Sequence, residues 1–165
     1  MKKFLVGYRF LIPLFFVFII SCNNATESVT SNERSLVRDS VQRMTNSIAE
    51  DISHNGPIAW LTYFENSPEF FMAANGQLVF PNIETAKSFI NNTLVKIMPK
   101  IDLHWSNIQI DPLTNQLAGI SAAFHEDITD STGNLTPHDG YFTAIAHKTA
   151  QGWKLHNVHW SGVVH

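Results

Sequence analysis

GYFTAIAHKTAQGWKL, residues 140–155, decides the fold. Tyr141 to Lys148 reads as a strand, Thr149-Ala150-Gln151-Gly152 as a tight turn, and Trp153 onward as a second strand running back. The pattern extends outwards in both directions. Downstream, WKLHNVHWSGV completes the last strand; upstream lie IDLHWSNIQI and QLAGISAAFHEDI, bounded by DPLTN and TDSTGNLTPHD as turns. Everything after Pro99 is therefore expected to be a four-stranded antiparallel meander.

Before Pro99 the period is helical. Thr30 and Glu33 have the spacing of a capping box, and Leu36, Val37, Val41, Met44, Ile48 and Ile52 recur at steps of three and four. Gly56 ends that helix and Pro57 starts a second, PIAWLTYF. EFFMAANGQLVF is a hairpin around Asn75-Gly76, because both central residues of a type I′ turn need positive φ. A third helix runs from about Ile83 to Met98, with Ile83, Ala86, Phe89, Ile90, Leu94 and Ile97 as its apolar stripe.

This order, with GYFTAIAHKTAQGWKL and the later VHWSG (residues 158–162), resembles the nuclear-transport-factor-2-like superfamily, which includes SnoaL-like cyclases, ketosteroid isomerase and scytalone dehydratase. VHWSG is similar to the H-x-S-G ending of the kinase association domain of that superfamily, with Trp153 and Ser161 at the matching separation. The resemblance implies an α+β cone over residues 33–165: about three N-terminal helices packed on a strongly bent, mostly antiparallel sheet. It also implies a pocket between sheet and helices, for which Trp60, Tyr63, Phe64, Trp105, Phe124, Glu126, Tyr141 and Trp160 are the candidate lining. Phe71, Met72 and Phe142 are further apolar residues expected near it.

Such a fold hosts binders, enzymes and scaffolds alike. Proton-transfer members use a buried carboxylate or histidine with a hydroxyl or acid facing it, which makes His159, Glu126 and His125 the catalytic candidates, followed by His104, with Tyr141 or Ser161 as donors. Phe124 and Glu126 share one strand face, and His125 and Asp127 the other. The acidic pair of ketosteroid isomerase and the histidine–aspartate arrangement of scytalone dehydratase have no counterpart at recognisable positions. A protein-built metal site is not expected. His156 and His159, three apart on a regular strand, face opposite ways, and Lys154 stands near His147 and His156. No cofactor is expected. The first expectation is a domain binding a small, largely apolar ligand. The alternatives are an isomerase, dehydratase or cyclase using a pocket histidine or glutamate as base, and a structural or interaction module.

The N-terminus carries a separate signal. Lys2, Lys3 and Arg9 precede the apolar run FLIPLFFVFII, and Ser21-Cys22 follows at once. That is the layout of a secretory signal peptide, residues 1–21, and IISC resembles a bacterial lipobox. Cys22 is the only cysteine, so no intrachain disulfide can form, and residues 22–32 read as a lipidated cysteine and polar tether. Removing residues 1–21 takes away three basic and no acidic residues, leaving 144 residues with eight basic and fourteen acidic side chains. That length suits one domain, and that charge excludes a phosphate-binding stripe, so no nucleic-acid partner is expected. The expected location is the bacterial cell envelope, held in the bilayer through acylated Cys22. Asn23 favours the periplasmic side of the outer membrane in a Gram-negative cell. A homodimer through the outer sheet face is expected from the resemblance.

Overall fold

The computed structural model describes residues 30–163. The expected signal peptide, Cys22 and most of the expected tether lie outside the described residues. Helix α1, Ser31–Asn55, opens on the expected capping box: the Glu33 N–H donates to Thr30 Oγ1 at 3.3 Å, and the Thr30 N–H donates to the Glu33 carboxylate at 2.9 Å. The helix therefore starts within residues assigned to the tether. Val37, Val41, Met44, Ile48 and Ile52 are buried, and Thr45 joins them by returning its hydroxyl to the Val41 carbonyl at 2.9 Å. Leu36, expected in this stripe, is exposed.

Gly56, at φ 71°, ends α1 and leads through a 3₁₀ turn, Gly56–Ala59, into α2, Trp60–Tyr63. The expected second helix is thus a 3₁₀ turn followed by a single α turn. Strands β1 (Phe71–Ala74) and β2 (Gln77–Phe80) form the hairpin, with Asn75 at φ 49° and Gly76 at φ 80° as the type I′ signal requires. Helix α3, Ile83–Phe89, passes through a π turn at Ile90–Leu94 into α4, Val95–Ile97. The π turn shifts the phase of the stripe only beyond Ile90. Ile83, Ala86 and Ile90 stay buried, whereas Phe89 and Ile97 are largely exposed.

Strands β3 (Lys100–Pro112), β4 (Leu117–Thr129), β5 (Leu135–Thr149) and β6 (Gly152–Gly162) form the expected meander. The sheet order is β2-β1-β6-β5-β4-β3, antiparallel throughout except for β1 beside β6. Strand β5 begins at Leu135, so the turn after β4 is shorter than expected, and Thr136 to Asp139 belong to the strand. Asp130 organises that short turn by accepting the N–H groups of Thr132 and Asn134 at 2.8 and 2.9 Å. The Thr132 hydroxyl, donating to the same carboxylate at 2.7 Å, together with these N–H bonds, holds the Asp130 carboxyl down at about 2.

Two bulges set which face is inward. On β3 the register breaks between Ser106 and Gln109, with Asn107 at φ 52°. Ile101 and Leu103 before the break, and Ile110 and Pro112 after it, can then all point inward despite opposite parity. On β6 the extra residue lies between the partners of Ile145 and Ala146. Leu155 and Val158, three apart, are consequently both buried. The inner face packs on α1, which also covers the free edge of β3. There Ser53 Oγ accepts the Leu103 N–H at 2.9 Å and the Thr45 carbonyl accepts Trp105 Nε1 at 2.9 Å.

Candidate functional site

Trp160 is the centre from which the site builds. Its side chain projects inward from β6 and meets Trp60 and Trp105 edge-on, each at 5.7 Å between centroids. Phe142 is also edge-on at 5.5 Å, and Phe124 is stacked at 4.1 Å. Rings in offset or edge contact contribute stabilisation beyond their buried area, on the order of 1 kcal/mol per pair. Gly140 makes this cluster possible. A Cβ there would stand 2.4 Å from the Phe124 ring and 2.1 Å from the Ser161 carbonyl oxygen.

In front of Trp160 lies a cavity of about 600 Å³, within the usual size range of small-molecule sites. Its back is Trp60, Phe64, Val158 and Trp160; the hairpin β1–β2 and the α3–α4 segment supply the walls, among them Met72, Phe80, Ile90, Leu94 and Met98. Leu78, Val79 and Phe89, all large apolar residues left exposed, stand at its margin. Glu126 is the only ionisable residue lining it among the described residues.

Glu126 comes from β4, where Ala118, Ile120, Ala122, Phe124, Glu126 and Ile128 alternate without interruption on the inner face. Its neighbours on that face are Leu103 on β3 and His138 on β5. The residue is 8% exposed, and His138 Nδ1 stands 3.9 Å from Oε1, beyond hydrogen-bond reach. Burial pushes the Glu126 carboxyl up to about 7, against a smaller opposing pull from the charge on His125. A carboxyl group poised near neutrality in an apolar cavity can accept a proton, donate one, or hold one polar group of a bound molecule.

The other residues expected at the site divide clearly. Trp60, Phe64, Glu126 and Trp160 line the cavity, as does Met72. Phe124 lies behind Trp160, and Trp105 is held against α1 through the Thr45 carbonyl. Tyr63 is buried away from the cavity, its hydroxyl donating to Asp51; burial, with that carboxylate beside it, pushes its pKa up. Tyr141 and Phe71 are exposed. Tyr141 lies on the outer face, where its hydroxyl meets Ser121 Oγ at 3.4 Å. His159 and His125 are on the outer face as well, which removes both as cavity bases. His125 Nδ1 pairs with Asp139 at 2.9 Å, and that hydrogen bond raises its pKa. His104 is outward beside Asp102. The bulge also overturns the parity expected for β6: His156 and His159 both face outward.

Two residues near functional groups escaped the sequence reading. His138 sat in a stretch assigned to a turn, so its pairing with Glu126 was hidden. Glu65 follows α2 in a segment without periodicity. Its N–H donates to the Leu155 carbonyl at 2.9 Å, beside the bridge from Phe64 to Leu155, and this lays Glu65 along β6 next to His156.

No family model matches this chain, and no curated protein matches it. Solved structures do. A nuclear transport factor 2-like superfamily protein from Salmonella enterica serovar Typhimurium superposes at a TM-score of 0.67 with 19% identity, over 79% of this chain and 94% of that one. The hexachlorocyclohexane dehydrochlorinase LinA-type3 from Novosphingobium barchaimii superposes at 0.65 with 10% identity, over 82% and 92%. An NTF-2-like protein of unknown function from Shewanella oneidensis does so at 0.57 with 16% identity, over 75% and 98%. At these identities the likeness is one of fold, and the chain has the nuclear-transport-factor-2-like α+β cone.

Proposed function

We propose that this chain is a lipid-anchored binding domain that takes a small, largely apolar molecule into its cone. The observation that carries this reading is an apolar cavity of about 600 Å³ in which Glu126 is the single ionisable group among the described residues. Aromatic and aliphatic walls favour an apolar body, and one protonatable carboxyl favours one polar substituent on it. The anchor is acylated Cys22, which holds the domain at the cell envelope; basic n-region, apolar run, small residue and solitary cysteine support it in that order.

The test is a titration with the neutral fluorophore N-phenyl-1-naphthylamine, read through fluorescence of Trp60 and Trp160 at the cavity wall. One molecule is expected to bind per chain, and Leu94→Trp, which fills the space, abolishes the signal. Absence of binding, or undiminished binding in that variant, refutes the reading.

Glu126 motivates a second reading, proton transfer with Glu126 as general base. The two differ in pH dependence. Binding of a neutral apolar molecule favours the protonated carboxyl and weakens as pH rises through about 7, whereas general-base turnover increases through the same window as the carboxylate forms.

A further inference from the structure

The outer face of the sheet carries a cluster that the cavity does not use. Glu65, His147 and His156 come from three neighbouring segments: the stretch after α2, strand β5 and the bulge of β6. His147 Nδ1 is 2.9 Å from Glu65 Oε1, and His156 Nδ1 is 2.6 Å from Glu65 Oε2. One ligand atom from each residue falls within 4.8 Å of the others. None of the three lines the cavity.

We propose that Glu65, His147 and His156 bind one divalent transition-metal ion of the zinc class, clipping the segment after α2 to β5 and β6. The donor set is two imidazole nitrogens and one carboxylate, which suits zinc and its borderline neighbours rather than magnesium or calcium, whose sites are built of oxygen. Metal–ligand bonds of about 2.0–2.1 Å in tetrahedral geometry place ligand atoms roughly 3.4 Å apart. With one ligand atom from each residue, the three lie within 4.8 Å of one another, so their separations need to change by less than about 1.5 Å, within the reach of side-chain rotation. Three protein ligands leave a fourth position for water.

The surroundings are compatible with a cation. Lys154 is the cross-strand partner of His147, but its ammonium donates to the Thr62 carbonyl at 2.7 Å. Glu65 is the most buried of the three, with its side chain 14% exposed, while His147 at 36% and His156 at 29% leave a route for the ion. Coordination through Nδ1 requires each imidazole to carry its remaining proton on Nε2, so a neutral pair changes tautomer and releases no proton. Protons and metal compete for the same nitrogens, so affinity falls on acidification. A carboxylate bridging two imidazoles by hydrogen bonds alone would need the same three residues but no ion, and the experiment separates the two.

The full-length untagged chain, carrying Cys22→Ser so that no thiolate binds metal, is purified in detergent. It is titrated with zinc by calorimetry at pH 7.5 and with cobalt by visible absorption. Zinc is expected to bind one to one, cobalt to give the d–d bands of a low-coordinate nitrogen–oxygen site, and magnesium to give neither. Glu65→Gln and His147→Gln, each checked for native circular dichroism, lower zinc affinity at least ~100-fold, at or beyond the upper end of what losing an outer-shell partner costs. His125→Gln leaves it unchanged. Absence of one-to-one binding, or affinity unaltered in folded Glu65→Gln, overturns the proposal and leaves a hydrogen-bonded clamp. Should His147→Gln fail to fold, the near-isosteric Glu65→Gln decides.

Discussion

At the scale of single residues, Glu126 and Gly140 carry the sharpest consequences. The folded-state pKa of Glu126 is raised from 4.5 to about 7 by burial. Between those values the folded chain holds a proton that the unfolded chain has lost, so its contribution to stability is present at low pH and falls as pH rises through about 7. A shift of that size corresponds to a penalty on the order of 3 kcal/mol above pH 7. Glu126→Gln, nearly isosteric and uncharged, is expected to stabilise the domain against urea at pH 8 and to change little at pH 4.5. A pH-independent difference would show that the carboxyl is not desolvated in the fold. Gly140 acts through space rather than charge. A methyl group there meets a backbone carbonyl at 2.1 Å, which no rotamer change relieves. Gly140→Ala is expected to cost at least ~2 kcal/mol by overpacking, measurable as a lowered urea midpoint with loss of near-ultraviolet signal from the Trp160 cluster. Loss of stability without any change in that signal would mean the rings do not close over Gly140.

At the scale of elements, the bulge on β6 governs the site. Leu155, Val158 and Trp160 all face inward only because one extra residue resets the alternation between Leu155 and Val158. Deleting His156 would leave Leu155, Asn157, Val158, His159 and Trp160 in regular alternation, opposite the same β5 partners. The deletion is therefore expected to fold with its core intact, as judged by near-ultraviolet circular dichroism. Deleting Thr143, in unbulged β5, reverses the faces of Phe142 and Ala144 relative to each other and should abolish folding. Equal damage from the two deletions would mean that the bulge does not set the face. Periodicity showed the strands of the meander clearly, because β4 alternates without a break. It could not show the bulges, because an extra residue looks like ordinary sequence until its partner strand is in place. For the same reason the short Asp130 turn was read as a long loop, which hid His138.

At the scale of the whole molecule, anchoring and assembly are the open consequences. Cys22→Ser is expected to leave the domain folded, since residue 22 precedes α1 and its core, and to release the protein from the membrane fraction or leave it as precursor. Mass spectrometry of the mature N-terminus checks this, and an unmodified N-terminus beginning elsewhere would refute lipidation. Among the described residues no helix is long and apolar enough to cross a membrane, so the anchoring prediction rests on the N-terminal segment. The outer face carries Asp102, His104, His125, Asp127 and Asp139 toward its β3 edge. A dimer through that face would bury these groups. Light scattering is therefore expected to show mass rising from monomer toward dimer as salt screens the acidic side chains, and a monomer at every salt concentration would exclude the pairing.

The sequence by itself determined the elements and their order, since capping box, helical stripes, Asn75-Gly76 and alternating strands are all local signals written in neighbouring residues. It also carried the resemblance to the cone fold, and it singled out Glu126, Trp60, Phe64 and Trp160 among residues that do line the cavity. Only the tertiary structure decided which histidines face inward, that His138 stands beside Glu126, and that Glu65 meets His147 and His156. Those facts depend on register and on two bulges, and register is set by long-range pairing between strands whose side chains reverse face with a shift of one residue.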